Sequence, residues 1–552
     1  MTGEKPNYVD WTQEELIAEI TELKKRKKYG LVWDEERETE KVVTQCKKEL
    51  PVLKEVKSKA IQNDPDKPTH ILIEGDNYHA LSVLNYTHHK TIDVIYIDPP
   101  YNTGARDWKY NNNFVDDNDT YRHSKWISLM KNRFLLTKPL LKNDGVLIVA
   151  IDDNEVHRLR LLVEEIFPGY DTTSITIVQN PRGNITKNFA RTHEYALFVI
   201  PKGISVVERL EVTNKSPRKL RRWGHNSKRT DRPTMFYPIY IKDGEIIKIG
   251  NIPDDDFHPT SKNVDNDNGE TEVWPIDQDG VERRWNFSID RISSELNRIQ
   301  PIERGNEIDL FLTKEITVPK TVWNDPEFEA GRNGATLVRN MTGNNFPYPK
   351  SIYTVKKCLE LILKNKPNAV ILDYFAGSGT TTHAALLLNN EDNGNRKSII
   401  CTNNESNIIN DITYPRIKSA LNGYDSINGI EENLIYYKTT FVPAKATDRN
   451  KEKLTKQSVE MLCLKENTFE TVLNSDNIKI FKNNEHYTGI LFDEQEIPNF
   501  IEHIKDFDLP VSVYVFSLGD DDFSEEFSDI KDKVKVCSIP TAILRAYKRI
   551  FR

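Results

Sequence analysis

At 552 residues the chain is too long for one hydrophobic core, so a large main domain with one or two satellites is expected. Hydrophobic residues make up 38% and charged residues 29%, and no apolar run is long enough for a helix to cross a bilayer. The net charge of −8 speaks against a uniformly basic nucleic-acid binder, but a sum hides local patches, so Lys and Arg must be followed along the chain.

The opening MTGEKPNYVDW lacks a charged-then-apolar signal pattern, which leads to the expectation of a cytoplasmic protein. Leu16, Ile17, Ile20 and Leu23 recur at helical spacing behind a Thr12 to Glu15 capping-box pattern, predicting a docking helix in an N-terminal arm, 1–65. The KKRKK run at its end reads as a solvated helix face. Beyond it, strands HILIEGD, TIDVIYIDPP and GVLIVAID alternate with helices over SKWISLMKNRFLLTKPLL and EVHRLRLLVEEIF, and strands SITIVQN and EYALFVIP follow, giving a block at 66–201. Residues 202–340 lose this alternation and are rich in Arg, Lys, Asn, Pro and aromatics. Within them KSPRKLRRWGHNSKRTDRP gathers Arg218, Lys219, Arg221, Arg222, Lys228 and Arg229 around Trp223, a pattern able to neutralise phosphates and reach base edges. A second block, 341–430, carries helix YTVKKCLELILK, strand AVILDYFAGSG, a helix from Thr381 to Leu388 and strand SIICTNNE, and an α+β tail, 431–552, is expected to serve assembly or partner binding. Five scattered cysteines, Cys46, Cys358, Cys401, Cys463 and Cys537, have neither zinc nor disulfide spacing. The alternation predicts an α/β fold with a doubly wound, mainly parallel Rossmann-like sheet. Ligands of such sheets sit beyond the carboxyl ends of the strands, where the two unusual loops, DPPY and FAGSGT, both fall.

A strand running into Gly377-Ser378-Gly379 lets the backbone turn tightly, and the helix after it presents its N-terminus to a negative group. No Gly-Lys dipeptide occurs in the chain, which rules out a P-loop, and the dinucleotide GxGxxG spacing is incomplete. Asp98-Pro99-Pro100-Tyr101 points to a chemistry. The exocyclic amine of adenine is a poor nucleophile because its lone pair is delocalised, and its hydrogens are donors. A site that activates it needs acceptors without competing donors. Asp98 supplies a carboxylate and Pro99 a carbonyl, neither proline has an N–H, and Tyr101 can stack on the base. Catalysis of this kind is positioning and electrostatics, with no proton removed before attack.

The stretches ILIEGDNYHAL, VIYIDPPYNTG, KNDGVLIVAIDDNE, RTHEYALFVIPKG, NFPYPKSIYTVKKCLEL and VILDYFAGSGTTTHAALLLN, in that order, resemble the β-class amino-methyltransferases of DNA. Among these the modification subunits of type III restriction-modification systems are the most similar, and the flanks YGLVWDEE and CTNNESNIINDITYPRI look similar too. DPPY before FAGSG, with a long insert between, resembles the circular permutation that defines the class. The resemblance implies a sequence-specific adenine-N6 methyltransferase using S-adenosylmethionine, with cytosine-N4 as the alternative that an acid at position 98 disfavours. Phe375, Ala376, Gly377, Ser378 and Gly379 would cradle the methionyl part of the cofactor, with Asp373 and Thr380 beside it and Asp76 bordering the pocket. Lys350 and Ser351 would close over the methionine end. Glu405, or alternatively Asn403, would bind the ribose hydroxyls. His193 and Tyr195 would line the target-base pocket, and no metal is needed. The insert would be the target recognition domain on double-stranded DNA. The implied partners are a second copy of the chain and an ATP-dependent helicase-nuclease, for which the chain could alternatively serve chiefly as the DNA-reading subunit.

Overall fold

Predominantly apolar runs such as IDVIYI become strands buried on both faces, as a parallel sheet covered by helices requires. The structure, a computed structural model, describes residues 11–25, 33, 40–111, 113–185, 187–305, 307–519 and 521–551. Most of the KKRKK run, and YGLVWDEE apart from Trp33, lie outside the described residues. The helix Gln13–Lys25 opens with the reciprocal cap that Thr12 and Glu15 suggest: the Glu15 amide donates to Thr12 Oγ1 at 3.3 Å and the Thr12 amide to Glu15 Oε2 at 2.8 Å.

The main sheet has ten strands: β1 (Glu49–Glu55), β2 (Thr69–Glu74), β3 (Ile92–Ile97), β4 (Leu141–Ile151), β5 (Tyr170–Ile177), β6 (Glu194–Pro201), β7 (Val322–Trp323), β8 (Val370–Asp373), β9 (Lys397–Thr402) and β10 (Asn433–Pro443). Their spatial order is β1-β10-β2-β9-β8-β3-β4-β6-β5-β7. From β10 to β4 every neighbouring pair is parallel, while β1 and β6 run against their neighbours. The connecting helices are α1 (Asn77–Thr87), α2 (Arg122–Thr137), α3 (Val156–Ile166), α4 (Ile352–Leu363), α5 (Thr380–Asp392) and α6 (Tyr414–Asn422). Alternation along β2 sorts the core into two: Ile71 and Ile73 pack with Leu81, Met130, Phe134 and Leu162 from α1, α2 and α3, whereas Leu72 packs with Leu386 and Ile417 from α5 and α6.

Residues 209–319 form a separate compact unit. It has an antiparallel sheet of Leu210–Lys219, Glu307–Thr317 and Ile299–Arg304, a second sheet of four strands, and its own core around Leu220, Tyr237, Trp285, Phe287 and Leu312. The expected insert, 202–340, runs past this unit: β7 pairs in parallel with β5, so Val322 and Trp323 belong to the main sheet. The boundaries at 65 and 431 also differ from the observed division. β1 forms one edge of the sheet, and β10 lies between β1 and β2. The tail builds a further sheet of β11 (Glu470–Asn474), β12 (Ile478–Lys482), β13 (Tyr487–Leu491), β14 (Val511–Phe516) and β15 (Val534–Ile539). It is not a separate unit, because Ile490, Tyr514, Ile539 and Ile543 share the core of α1 to α3 and the Tyr547 hydroxyl donates to the Pro51 carbonyl. Among the described residues no helix is long and apolar enough to cross a membrane.

Candidate active site

β3 and β8, far apart in sequence, are parallel neighbours, with Val94 opposite Ile371 and Ile95 opposite Leu372. This register brings their carboxyl ends side by side, so the Asp98–Tyr101 loop and the Asp373–Thr380 loop rise from adjacent strands. β3 stops where two prolines remove the ladder donors. The loop after it is held from three sides. Trp126 Nε1 of α2 donates to the Pro100 carbonyl at 2.6 Å. Asn102, buried and at φ +57°, donates to Glu155 Oε1 at 2.6 Å and accepts from Trp108 Nε1 at 3.2 Å.

Around Asp98 the structure assembles three side chains, Lys350, Glu194 and Tyr101. Lys350 Nζ lies 2.9 Å from Asp98 Oδ2 and 3.2 Å from Glu194 Oε2, and 4.7 Å from the centre of the Tyr101 ring. The Tyr101 hydroxyl donates to the same Glu194 oxygen at 3.0 Å. Burial works against the Lys350 charge, but Asp98 and Glu194 outweigh it and raise its pKa above the usual lysine range. Burial raises the Glu194 carboxyl, and Lys350 only partly offsets this. Lys350 was expected over the methionine end of a cofactor; here its ammonium faces the DPPY loop. Ser351 is buried as the cap of α4, accepting from the Tyr353 amide at 3.3 Å and donating to the Glu327 carbonyl at 2.7 Å. Along β6 the side chains alternate, so Glu194 points at Lys350 while His193 and Tyr195 take the other face. His193 Nε2 lies 3.1 Å from the Tyr195 hydroxyl, which donates to Asp153 at 2.9 Å. Of the HEY triplet it is therefore Glu194, not its neighbours, that joins Asp98 and Tyr101.

On the glycine side, Gly377 and Gly379 have φ of +48° and +76°. A Cβ on Gly377 would meet nothing closer than Phe346 Cζ at 3.8 Å, so the demand for glycine there is conformational. Ala376 is tied to β9 by its amide, which donates to the Cys401 carbonyl at 3.0 Å. Beneath the loop, buried Arg416 of α6 donates to Ser378 Oγ at 2.8 Å and Thr380 Oγ1 at 2.7 Å, and Thr413 Oγ1 donates to the Gly377 carbonyl at 2.7 Å. Asp373 accepts from the Phe375 amide at 2.9 Å and from Thr381 Oγ1 at 2.5 Å, yet burial pushes its carboxyl up to about 7. Asp76 caps α1 through the Tyr78 amide at 2.8 Å and lies 3.5 Å from Arg133. Asn77 beside it donates to the Tyr374 carbonyl at 3.0 Å, which links α1 to the glycine loop. Beyond β9, Asn403 and Glu405 are exposed, and Glu405 lies 3.6 Å from Lys109 Nζ.

The sequence profile of the N6/N4-type DNA methylase family matches residues 92–441, which span both loops and everything between them. The chain belongs to this DNA methylase family. Its similarity to individual members is substantial. It is 32% identical over 361 residues to the type II methyltransferase M.KpnI of Klebsiella pneumoniae, covering 60% of this chain and 79% of that one. It is 27% identical over 435 residues to the Mod subunit of the type III restriction-modification enzyme EcoPI of Escherichia phage P1, covering 70% and 64%, and 28% identical over 394 residues to the StyLTI Mod subunit of Salmonella typhimurium, covering 66% and 56%. The matches thus span less than two thirds of the length of both Mod subunits.

For a DNA methylase the cations of the insert are of direct interest, and the six expected residues do not form one surface run. Arg229 is internal: it is buried, donates to the Phe257 and Asp254 carbonyls at 2.6 and 2.8 Å, and pairs with Glu282 at 3.1 Å. Arg218 and Lys219 are engaged across the strand pair by Glu315 at 2.7 Å and Asp309 at 2.5 Å. Arg222 and Lys228 are exposed, and Arg221 is half-buried. Trp223 is 64% exposed, with the guanidinium groups of Arg221 and Arg283 lying 5.7 and 4.7 Å from its ring.

Proposed function

We propose that this DNA methylase transfers a methyl group from S-adenosylmethionine to the exocyclic N6 of adenine within a specific duplex sequence, as the modification subunit of a type III-like system in the cytoplasm. The observation that carries the reading is the pairing of β3 with β8, which sets an acceptor-rich, donor-poor loop beside a left-handed glycine bend. When bound, S-adenosylmethionine supplies an electrophilic methyl carbon on a sulfonium. Phe375 to Gly379 would hold its methionyl part, with the N-terminus of the thirteen-residue helix α5 facing its carboxylate and Asp373 on the side of its positive charge. The bend fits such a ligand, because the space a Cβ would enter at Gly377 is open and a cationic neighbour favours the ionised form of Asp373. Glu405 or Asn403 would take the ribose hydroxyls.

The rest is done by this chain. The target adenine leaves its duplex, stacks on Tyr101 and donates its amine hydrogens to Asp98 and the Pro99 carbonyl. That geometry draws the nitrogen lone pair out of conjugation. Lys350 bridges Asp98 and Glu194 with one ammonium, and Glu194 fixes the Tyr101 ring through its hydroxyl. Asp98 is then the nearest carboxylate for the proton that the methylated amine sheds. The 209–319 unit would read the sequence through exposed groups such as Arg222, Trp223 and Lys228. The likeness to two type III Mod subunits supports a place in a type III-like system; in this reading the chain works beside a helicase-nuclease chain and as two copies.

Modification-sensitive sequencing of host DNA expressing the chain tests base, site and activity together, and N4-methylcytosine in place of N6-methyladenine would overturn the adenine assignment. Asp98→Ala is expected to lower methyl transfer by about a hundredfold or more while leaving cofactor binding intact. Gly377→Val, forced into a left-handed bend, is expected to abolish cofactor binding measured by calorimetry.

A further inference from the structure

The segment between β5 and β6, VQNPRGNITKNFARTH, contains three cations, Arg182, Lys187 and Arg191, and no acid. It folds as a two-stranded ribbon in which Asn184 pairs with Arg191 and Ile185 with Ala190. At its root the Asn180 amide donates to the Thr192 carbonyl at 3.1 Å, and a turn at Gly183, φ +74°, closes on Asn180 at 2.9 Å. Near its tip stand two large apolar side chains, Ile185 and Phe189, which are 90% and 81% exposed. Exposed pairs of this kind, rimmed by charge of one sign, mark contact surfaces.

The place of the ribbon says what it contacts. Its flanking strands meet at the pair Ile177 and Glu194, and Glu194 is the residue bonded to Tyr101 and Lys350. The ribbon therefore continues from the wall beside Asp98. A base drawn into a pocket leaves a gap in the stack, and the duplex around the gap presents phosphates to cations and a base-sized apolar slot to a ring.

We propose that Phe189, backed by Ile185, enters the duplex and fills the space vacated by the target base, while Arg182, Lys187 and Arg191 seat on the flanking phosphates. The proposal rests on the reading of Asp98 as the target-base pocket. Its test uses the full chain and a recognition site obtained by selecting bound duplexes from a random pool, with 2-aminopurine placed in turn at each adenine. The wild-type protein should brighten the probe at one position, and Phe189→Ala should lose that rise. On unlabelled DNA, Phe189→Ala should reduce kcat/KM about tenfold or more when the target is paired, yet stay within about twofold of wild type when the target faces an abasic position, where extrusion is already easy. Phe189→Trp should restore the paired reaction, whereas Lys187→Ala should weaken binding to both duplexes alike.

An equal loss on both duplexes, an unchanged probe signal, or a change in oligomeric state without an effect on the probe would overturn the wedge; the last would make the ribbon a protein interface. The two readings fail separately. A wild-type protein that brightens the probe but transfers no methyl group contradicts the proposed function and leaves the wedge standing, and normal transfer by Phe189→Ala on paired DNA does the reverse.

Discussion

Asp373 shows how one buried carboxyl couples the site to pH. Its pKa is raised by burial to about 7, against the lowering effect of Thr381 and the Phe375 amide, with Asp98 adding to the rise. Between about pH 4 and pH 7 the folded chain holds a proton that the unfolded chain has released, so this group's contribution to stability is full at the acid end, declines as pH rises, and is flat above pH 7. Asp373→Asn should remove that part of the slope, which urea titrations across the window would measure; an unchanged slope would show the carboxyl to be ionised in the free protein. The DPPY and glycine stretches could be picked out of the sequence because their chemistry is local: prolines delete donors and glycines permit left-handed turns. Glu194 could not be singled out in this way. In HEY each residue is a candidate, and only the strand's facing, fixed by its pairing with β4 and β5, sends Glu194 toward Lys350 and the other two away.

Between elements, Arg133 of α2 is a tie that nothing in the sequence pattern singles out. Fully buried, it donates to Glu40 at 2.5 Å and to Asn77 at 2.8 Å and lies 3.5 Å from Asp76, so it joins the segment before β1, α2 and the start of α1. Asn77 in turn holds the Tyr374 carbonyl next to the glycine loop. Arg133→Ala leaves Glu40 buried without its cation, and an unpaired buried charge of this kind costs about 3–5 kcal/mol. The expected result is a loss of unfolding free energy of that size in urea titrations, with Arg133→Lys intermediate because it keeps the charge and loses the fork. The apolar strands at the centre of the sheet were legible as predominantly apolar runs. β7 and β10 were not: β7 has two residues in a Pro- and Trp-rich stretch, and β10, NLIYYKTTFVP, follows the second α/β block after a polar loop that reads as a boundary.

At the scale of the whole molecule, the divisions that matter are those of the hydrogen-bonded sheet rather than of composition. A chain cut at 430 would lose the strand between β1 and β2, so it should not yield a folded core, whereas the insert can be removed at its own root. Leu210 and Thr317 are direct partners in an antiparallel pair, so the chain leaves and returns to the 209–319 unit at neighbouring backbone positions, about 5 Å apart, a gap that a few Gly and Ser residues bridge. That unit has its own core around Leu220, Tyr237, Trp285, Phe287 and Leu312. The excised protein should unfold with the cooperativity of the full chain and bind S-adenosylmethionine with similar affinity by calorimetry, while sequence-specific methylation disappears. If cofactor binding were lost as well, the insert would have to be part of the catalytic body; if specific methylation survived, the reading of sequence would have to reside in the main unit, and the ribbon carrying Phe189 would become the first place to look for it.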